Sequence, residues 1–310
     1  MSDDGTINPA TASTCYLVDA SIYVFRAWFT LPDHLLGRDG EPINALLGFT
    51  DFVGELFVRT GAERIAFAFD QSLASSFRNE IYPSYKANRP PAPESLKRQF
   101  RQCRTFLGLL GIREYGSDRY EADDLIGALS VHARDLGHRV TLVTADKDLT
   151  QLVTDTDDWW DFAKDRRMGP RQIEQRFGVR PEQIADCLAL AGDAIDNIPG
   201  VPGVGMATAA KLLRRFGSID ALLGDTPAIA RMQIRGAKRL QELIEAHSET
   251  IRLARRLTVI ECSVDMSRPR DFGVVPVESE PLRDWMNQTG FGAHRQQRWL
   301  EWLASRQGPR

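Results

Sequence analysis

Cysteine is scarce in this 310-residue chain: Cys15, Cys103, Cys187 and Cys262 stand far apart and form no CxxC pair. That spacing excludes a disulfide framework and a cysteine-based zinc site, and it fits a reducing cytoplasm. No apolar run approaches a membrane span, and no basic-then-apolar leader opens the chain. A surplus of positive charge is missing too, the net charge being −3. What remains, 43% hydrophobic and 26% charged residues, is ordinary for a globular protein able to bury one large or two modest cores. Residues 1–14, rich in Asp, Thr, Ser and Ala, are expected to form a disordered tail.

The distribution of charge says more than its sum. Residues 78 to 104 hold seven Lys/Arg against two Asp/Glu, whereas residues 114 to 165 hold thirteen Asp/Glu against five Lys/Arg. Two solvated surfaces would account for this. An acidic cluster beside a basic belt also suits metal ions facing a polyanion.

Three apolar runs, residues 16–18, 65–69 and 140–143, have the length and composition of buried strands. Each is followed by Asp within three residues: Asp19, Asp70 and Asp146. Helical patterns at 44–59, 95–110 and 123–136 separate them, so a parallel α/β sheet flanked by helices is expected. In such sheets the functional crevice lies outside the carboxyl ends of the strands, which aims three carboxylates at one place. Residues 71–94 resist the pattern, with Pro83, Pro90, Pro91 and Pro93 among aromatic and basic residues. A connection this long is usually functional or disordered. After about residue 169 the texture changes to short helices, expected at 181–191, 207–215, 237–247 and 249–257, and residues 262–281 read as irregular.

Glu121, Asp123 and Asp124 open a helix. The helix dipole favours acids there, so capping is one explanation. Three carboxylates within four residues nevertheless repel one another unless a cation sits among them. Glu121 and Asp124 share a face at i, i+3, and Asp123 can turn inward from the first turn. Asp146 and Asp148 follow the next strand, and Asp193 and Asp196 follow the helix at 181–191. These nine carboxylates, without His or Cys, would select hard ions, Mg²⁺ or Mn²⁺. They are too many for one ion and suit two sharing a scissile phosphate.

The run from Gly200 through Gly203 and Gly205 ahead of the helix at 207–215 has the signature of a helix–hairpin–helix, expected over 184–215. Backbone amides at a helix start can hold phosphate, and Lys211, Arg214 and Arg215 follow. A plain helix–helix turn would use Gly and Pro as well.

At this point the chain resembles the 5′→3′ exonuclease and flap endonuclease family, which includes the N-terminal nuclease domain of bacterial DNA polymerase I. The resemblance runs from about residue 16 to 260, on the strings LVDASIYVFRAW, AFAFDQSLASSFRNEIYPSYKANRPPAP, YEADDLIG, TADKDLTQLV and GDAIDNIPGVPGVG. It implies a PIN-like nuclease domain at 15–168, followed by a helical DNA-binding region at 169–310. It further implies two-metal-ion hydrolysis of flapped, nicked or 5′-ended DNA in replication and repair. Asp19, Asp70, Glu121 and Asp123 would favour one ion and Asp146, Asp148, Asp193 and Asp196 the other, with Asp124 nearby. K⁺ at the hairpin is a further candidate.

The family's arch, through which the 5′ strand passes, falls on residues 71–94. There Arg78, Lys86 and Arg89 match phosphate-gripping positions, and Tyr82 is placed to stack on a base. Arg26 on the first helix matches another phosphate contact, and Lys86 and Arg26 would neutralise charge on the phosphoryl oxygens. Ala145 stands where the family often has Gly, and Ala207 where it has Lys, which should weaken duplex grip modestly. A free-standing, nucleoid-associated monomer is expected, with DNA junctions as substrate and a DNA polymerase as candidate partner. The rivals are a PIN-type ribonuclease and a non-catalytic binder of branched DNA.

Overall fold

The computed structural model describes residues 13–71 and 76–306. Most of the expected tail therefore lies outside the described residues, and Thr14 already begins the first strand. Six strands, β1 (Thr14–Asp19), β2 (Arg64–Asp70), β3 (Arg113–Ser117), β4 (Arg139–Val143), β5 (Asp158–Asp161) and β6 (Arg166–Met168), form one sheet in the order β3-β2-β1-β4-β5-β6. The first five are parallel, and β6 returns antiparallel to β5. The three apolar runs became β1, β2 and β4. Strands β3, β5 and β6 escape a sequence reading because their polar content and lengths of three to five residues leave little periodic signal.

Side chains alternate across the sheet, as pleating requires. Leu17, Ala66, Ala68, Leu142 and Trp159 enter one core. Val18, Phe67, Phe69, Val143 and Trp160 enter the other. The second core is closed by α1 (Ala20–Thr30), α2 (Asn44–Thr60) and α4 (Glu94–Leu109). The short α3 (Phe77–Ile81) precedes α4. The first core is closed by α5 (Ala122–Asp135) and by a helical region. That region comprises α6 (Pro170–Phe177), α7 (Ile184–Ala191), α8 (Met206–Phe216), α9 (Ile219–Gly224), α10 (Ala237–Ala246) and α11 (Ser248–Thr258).

Two further helices, α12 (Ser279–Thr289) and α13 (Ala293–Arg306), leave that region. The chain crosses the edge of the sheet where β2 begins, the Ile65 amide donating to the Phe272 carbonyl at 2.9 Å and the Val275 amide to the Gly111 carbonyl at 2.8 Å. It then seats Leu282, Met286, Trp299 and Leu303 in the α1/α2/α4 core. Arg295 and Arg298 both pair with Asp51 on α2 at 2.7 Å. The last part of residues 169–310 thus packs on the far face of the sheet rather than with the helical region. Among the described residues no helix is long and apolar enough to cross a membrane.

Candidate metal centre and nucleic-acid interface

In the sheet order, β2 and β3 lie to one side of β1 and β4 and β5 to the other. The crevice at this reversal opens beyond the end of β1, at Asp19. Asp70 ends β2 beside it, and its Oδ1 accepts the Ala122 amide at 2.9 Å, which docks the start of α5 on the strand end. On the other side, Thr144 follows β4 and donates its hydroxyl to Asp19 Oδ2 at 2.9 Å. The Asp146 amide donates to the Thr144 hydroxyl (2.9 Å), and the Asp148 amide to Asp146 Oδ1 (2.8 Å). A hydrogen-bonded chain therefore links three of the acids across two loops.

A cleft of about 160 Å³ is lined by Asp19, Asp70, Glu121, Asp123, Asp146, Asp148 and Asp196. Asp193 faces an adjoining cleft together with Asp146, Asp148 and Asp196. Eight of the nine expected carboxylates thus gather in two continuous spaces. Burial and the neighbouring Asp70 and Asp146 push Asp19 up to about 7. Burial, then Asp146, pushes Asp148 up to about 7 as well, and Asp123 is raised well above the usual carboxylate range by burial, Asp146, Asp19 and Asp70. No three His, Cys, Asp or Glu side chains among the described residues converge to coordination distance.

The ninth carboxylate departs from expectation. Asp124 is 0% exposed and faces the protein interior, in a two-pronged ion pair with Arg78 at 2.7 and 2.8 Å. It also accepts the Glu121 and Glu261 amides at 3.1 and 2.9 Å. Its oxygens are thus taken up in holding the fold. Arg78, 2% exposed, donates further to the carbonyls of Leu257 (2.8 Å) and Val259 (3.0 Å). Arg78 lines the carboxylate cleft, but its guanidinium is spent on these four contacts, which join α3 to α5 and the end of α11. Glu121 and Asp124 are neighbours at i, i+3, with Arg78 Nη1 3.6 Å from Glu121 Oε2 and 2.7 Å from Asp124 Oδ2, and Asp123 turns inward from the first turn to line the cleft.

Residues 76–93 lie against the site. The Lys86 amide donates to the Asp196 carbonyl at 2.9 Å, Asn197 Nδ2 to the Ser84 carbonyl at 2.6 Å, and Asn88 Nδ2 to the carbonyls of Ala194 and Ile195. Lys86 and Asn197 both adopt the left-handed region (φ 54° and 56°) at this clasp, which costs on the order of 1 kcal/mol each for residues with a side chain. Lys86 Nζ lies 2.9 Å from Glu121 Oε2 and 3.8 Å from Asp196 Oδ2, and Arg89 pairs with Asp196. Burial disfavours the Lys86 charge, yet Glu121, Tyr85, Asp196 and Asp70 outweigh it and hold Lys86 above the ordinary lysine range. Against burial, Lys86 and Arg78 hold Glu121 below the carboxylate range.

Tyr85, which the sequence did not single out, is 4% exposed and donates its hydroxyl to Glu121 Oε2 at 3.1 Å. Tyr82 is half-buried against the core and lines no cleft beside the carboxylates. Tyr85, Lys86 and Arg89 also line a further cleft of about 630 Å³, so this segment is a wall between two spaces. Lys147 was missed too, although it sits between Asp146 and Asp148; its Nζ is 3.2 Å from Asp193 and 3.3 Å from Asp148. Arg26 is exposed but faces a separate cleft with Asp51, Glu55 and Arg59, and only Ser21, Ile22 and Phe25 of α1 line the carboxylate cleft.

The loop from α7 to α8 has the compactness of a hairpin. Gly200 is obligatory for packing, because a Cβ there would lie 2.4 Å from the Ala191 carbonyl and the Gly192 amide. Gly203 has φ 80° with open space around it, and Gly205 has an ordinary φ of −96° and no atom within 4 Å of where a Cβ would stand. Gly205 is the N-cap of α8, whose first amides lack intrahelical acceptors. The fold itself does not demand glycine there, and Lys211, Arg214 and Arg215 are exposed on the same helix.

Residues 14–178 match the family model of the 5′-3′ exonuclease N-terminal resolvase-like domain, and residues 179–280 that of the 5′-3′ exonuclease C-terminal SAM fold. The chain is 31% identical over 252 residues to the 5′-3′ exonuclease of Buchnera aphidicola, covering 81% of this chain and 87% of that one. It is 35% identical over 273 residues to DNA polymerase I of Rhizobium leguminosarum (86% of this chain, 26% of that one) and 34% over 281 residues to the thermostable DNA polymerase I of Thermus thermophilus (89% and 32%). It spans about a quarter to a third of those polymerases. The fold matches T5 5′-exonuclease with divalent metal ions (zinc) bound, at TM-score 0.65 and 19% identity over 94% of this chain and 98% of that one. It matches the catalytic core of Rad2 in complex with DNA substrate at TM-score 0.64 and 16% identity, over 95% and 94%.

Proposed function

The chain belongs to the 5′-3′ exonuclease family, and on that premise we propose that it hydrolyses phosphodiester bonds of 5′-ended, nicked and flapped DNA with two divalent ions, Mg²⁺ foremost and Mn²⁺ as substitute. The observation that carries this reading is the collection of eight carboxylates, free of Cys and His, outside the carboxyl ends of parallel strands. An all-oxygen donor set suits hard ions, and the raised Asp19, Asp123 and Asp148 supply a demand for compensating charge. Asp19, Asp70, Glu121 and Asp123 would hold one ion and Asp146, Asp148, Asp193 and Asp196 the other. When bound, such ions supply positive charge to an attacking water and to the leaving 3′ oxygen.

The chain's own residues do the positioning. Lys86 presents its Nζ to the cleft from the wall segment, where it can neutralise charge on the phosphoryl oxygens. Tyr85 fixes Glu121, and Thr144 fixes Asp19. Arg89 rims both spaces and can take up the strand that enters them. The first amides of α8, with Lys211, would hold duplex phosphate without reading sequence. A DNA polymerase, as supplier of displaced 5′ strands, is the partner this reading implies.

The test is incubation of end-labelled flap, nicked and blunt duplexes, and their RNA counterparts, with Mg²⁺ or Mn²⁺, followed by product sizing. Cleavage near the junction with 5′ phosphate and 3′ hydroxyl ends is expected. Absence of DNA cleavage with either ion, or preference for the RNA strands, would overturn the reading.

A further inference from the structure

The cleft that holds Asp193 has a volume of about 400 Å³ and a part of its lining that the roles above leave without a task. It shares Ile22, Arg89, Asp146, Asp148 and Asp196 with the carboxylate cleft, so the two are continuous. The part of the lining from β6, α6 and the turn before β6 is cationic, with Lys164, Arg166 and Arg176, while Asp148, Asp193 and Asp196 in the same lining pair with Lys147 and Arg89. Lys164 and Arg166 share one carboxylate, Asp161, at 3.5 Å each, and the buried Arg166 Nε has no hydrogen-bond acceptor among the described residues. Arg176 contacts the ring of Phe177 at 5.5 Å and pairs with no carboxylate among the described residues. The apolar part of the lining includes Met168, Phe177 and Ile195, the last 70% exposed.

Lys164 and Arg166 are held by the buried Asp161, and Arg166 also lies over the Trp159 ring at 5.6 Å, whereas Arg176 is exposed and has no carboxylate partner among the described residues. A cleft lined by acids able to hold divalent ions, by cations of which Arg176 has no carboxylate partner among the described residues, and by apolar side chains is complementary to a nucleotide. The phosphate takes the cations and the sugar or base takes the apolar side chains. We propose that this cleft is a nucleotide subsite that seats the phosphodiester adjoining the scissile one, Arg166 and Arg176 gripping its phosphate and Phe177 and Ile195 supporting its sugar or base. The proposal rests on the nuclease reading above and adds to it where the strand lies once it leaves the carboxylates.

The experiment pairs protein and substrate changes. Single-turnover cleavage of a 5′-flap substrate in Mg²⁺ is measured for the wild type, Arg166→Ala, Arg176→Ala and Arg176→Lys. Each is tested on the all-phosphate strand and on strands carrying one neutral methylphosphonate at successive linkages beside the scissile one. Each alanine variant should cleave the all-phosphate strand about tenfold more slowly, the effect of losing one charge-assisted hydrogen bond. At one linkage the neutral group should slow the wild type about tenfold but slow the variants hardly at all, and Arg176→Lys should recover part of the loss. The slope of log affinity for the flap strand against log salt, read in Ca²⁺, should fall by about 0.7 per arginine removed.

Additive losses at every linkage, or no loss in either variant, would overturn the subsite. Arg176 is exposed, so its variants carry the test if Arg166→Ala does not fold. A wild type that cleaves no 5′-ended or flapped DNA would sink the nuclease reading itself, whereas wild-type cleavage with additive losses sinks only the subsite.

Discussion

Replacing Arg78 by alanine strips Asp124 of its counter-ion in the most enclosed part of the framework behind the site. Both side chains are almost completely buried, and Arg78 makes two contacts with Asp124 at 2.7 and 2.8 Å and two with backbone carbonyls at 2.8 and 3.0 Å. Removing one partner of such a pair leaves a buried charge uncompensated, so Arg78→Ala and Asp124→Ala should each cost roughly 3–5 kcal/mol. Removing both with apolar residues of similar size, Arg78→Met with Asp124→Leu, leaves no orphan charge. The double variant should therefore lose less than the sum of the single variants, with a coupling of roughly 1–3 kcal/mol.

The pair also ties α3 to α5 and to the end of α11, and Arg78 Nη1 lies 3.6 Å from Glu121 Oε2, so loosening should reach the wall segment and slow catalysis. Equilibrium urea unfolding of the four proteins of the cycle measures the coupling, and a Mg²⁺ titration of Asp124→Asn measures ion stoichiometry. Single losses below about 1 kcal/mol, the scale of an exposed pair, would refute the structural role. So would loss of one Mg²⁺ at unchanged stability, which would return Asp124 to the ligands.

Asp70→Asn or Asp146→Asn should abolish cleavage while leaving duplex binding in Ca²⁺ largely intact; near-normal turnover of either variant in a gel assay sinks the ligand assignment. Lys86→Ala should slow single-turnover cleavage by about 10²-fold, as for loss of one electrostatic stabiliser, with flap affinity in Ca²⁺ changed only a few-fold. Equal losses in both would make Lys86 a binding residue only. Gly205→Val should cost only about 1 kcal/mol of stability, the loss of a tolerable N-cap, since φ is ordinary and a Cβ would meet no atom within 4 Å, while weakening duplex affinity alike for all sequences. A sequence-dependent loss would contradict it. Burial first, and then neighbouring carboxylates, raise the folded-state pKa of Asp19 and Asp148 to about 7, above an unfolded value of about 4. Their contribution to metal-free stability is then fully present below pH ~4 and lost as pH rises through ~7. Mg²⁺ should accordingly raise the melting temperature more at pH 8 than at pH 5, and an equal rise at both would count against the cluster.

The alternation of apolar runs with helical stretches was enough to place β1, β2 and β4 and the helices α2, α4 and α5, because period-2 and period-3.6 burial are local properties. It also placed the acids, since strands that run parallel in one sheet all end at the same edge. Asp19, Asp70 and Asp146 were bound to meet once those runs were strands. The hairpin was legible for a similar reason: Gly200 stands where only a residue without Cβ lets two backbone segments cross.

Which neighbour performs which task was decided only in three dimensions. Arg78, Lys86 and Arg89 belong to one basic segment of similar composition, yet Arg78 is drawn inward by Asp124, Leu257 and Val259, the last two some 180 residues away in sequence. Lys86 is left facing the cleft because its amide docks on the Asp196 carbonyl. Asp123 and Asp124 are adjacent on α5 and about 100° apart around it, so one reaches the cleft and the other the core. The return of α12 and α13 to the far face follows from an extended crossing that carries no periodic signal. The sequence by itself therefore determined the strand ends, and with them the acidic crevice. Tertiary packing chose which acids face it and which cation stands over it, because those choices depend on contacts between segments that composition and local spacing cannot bring together.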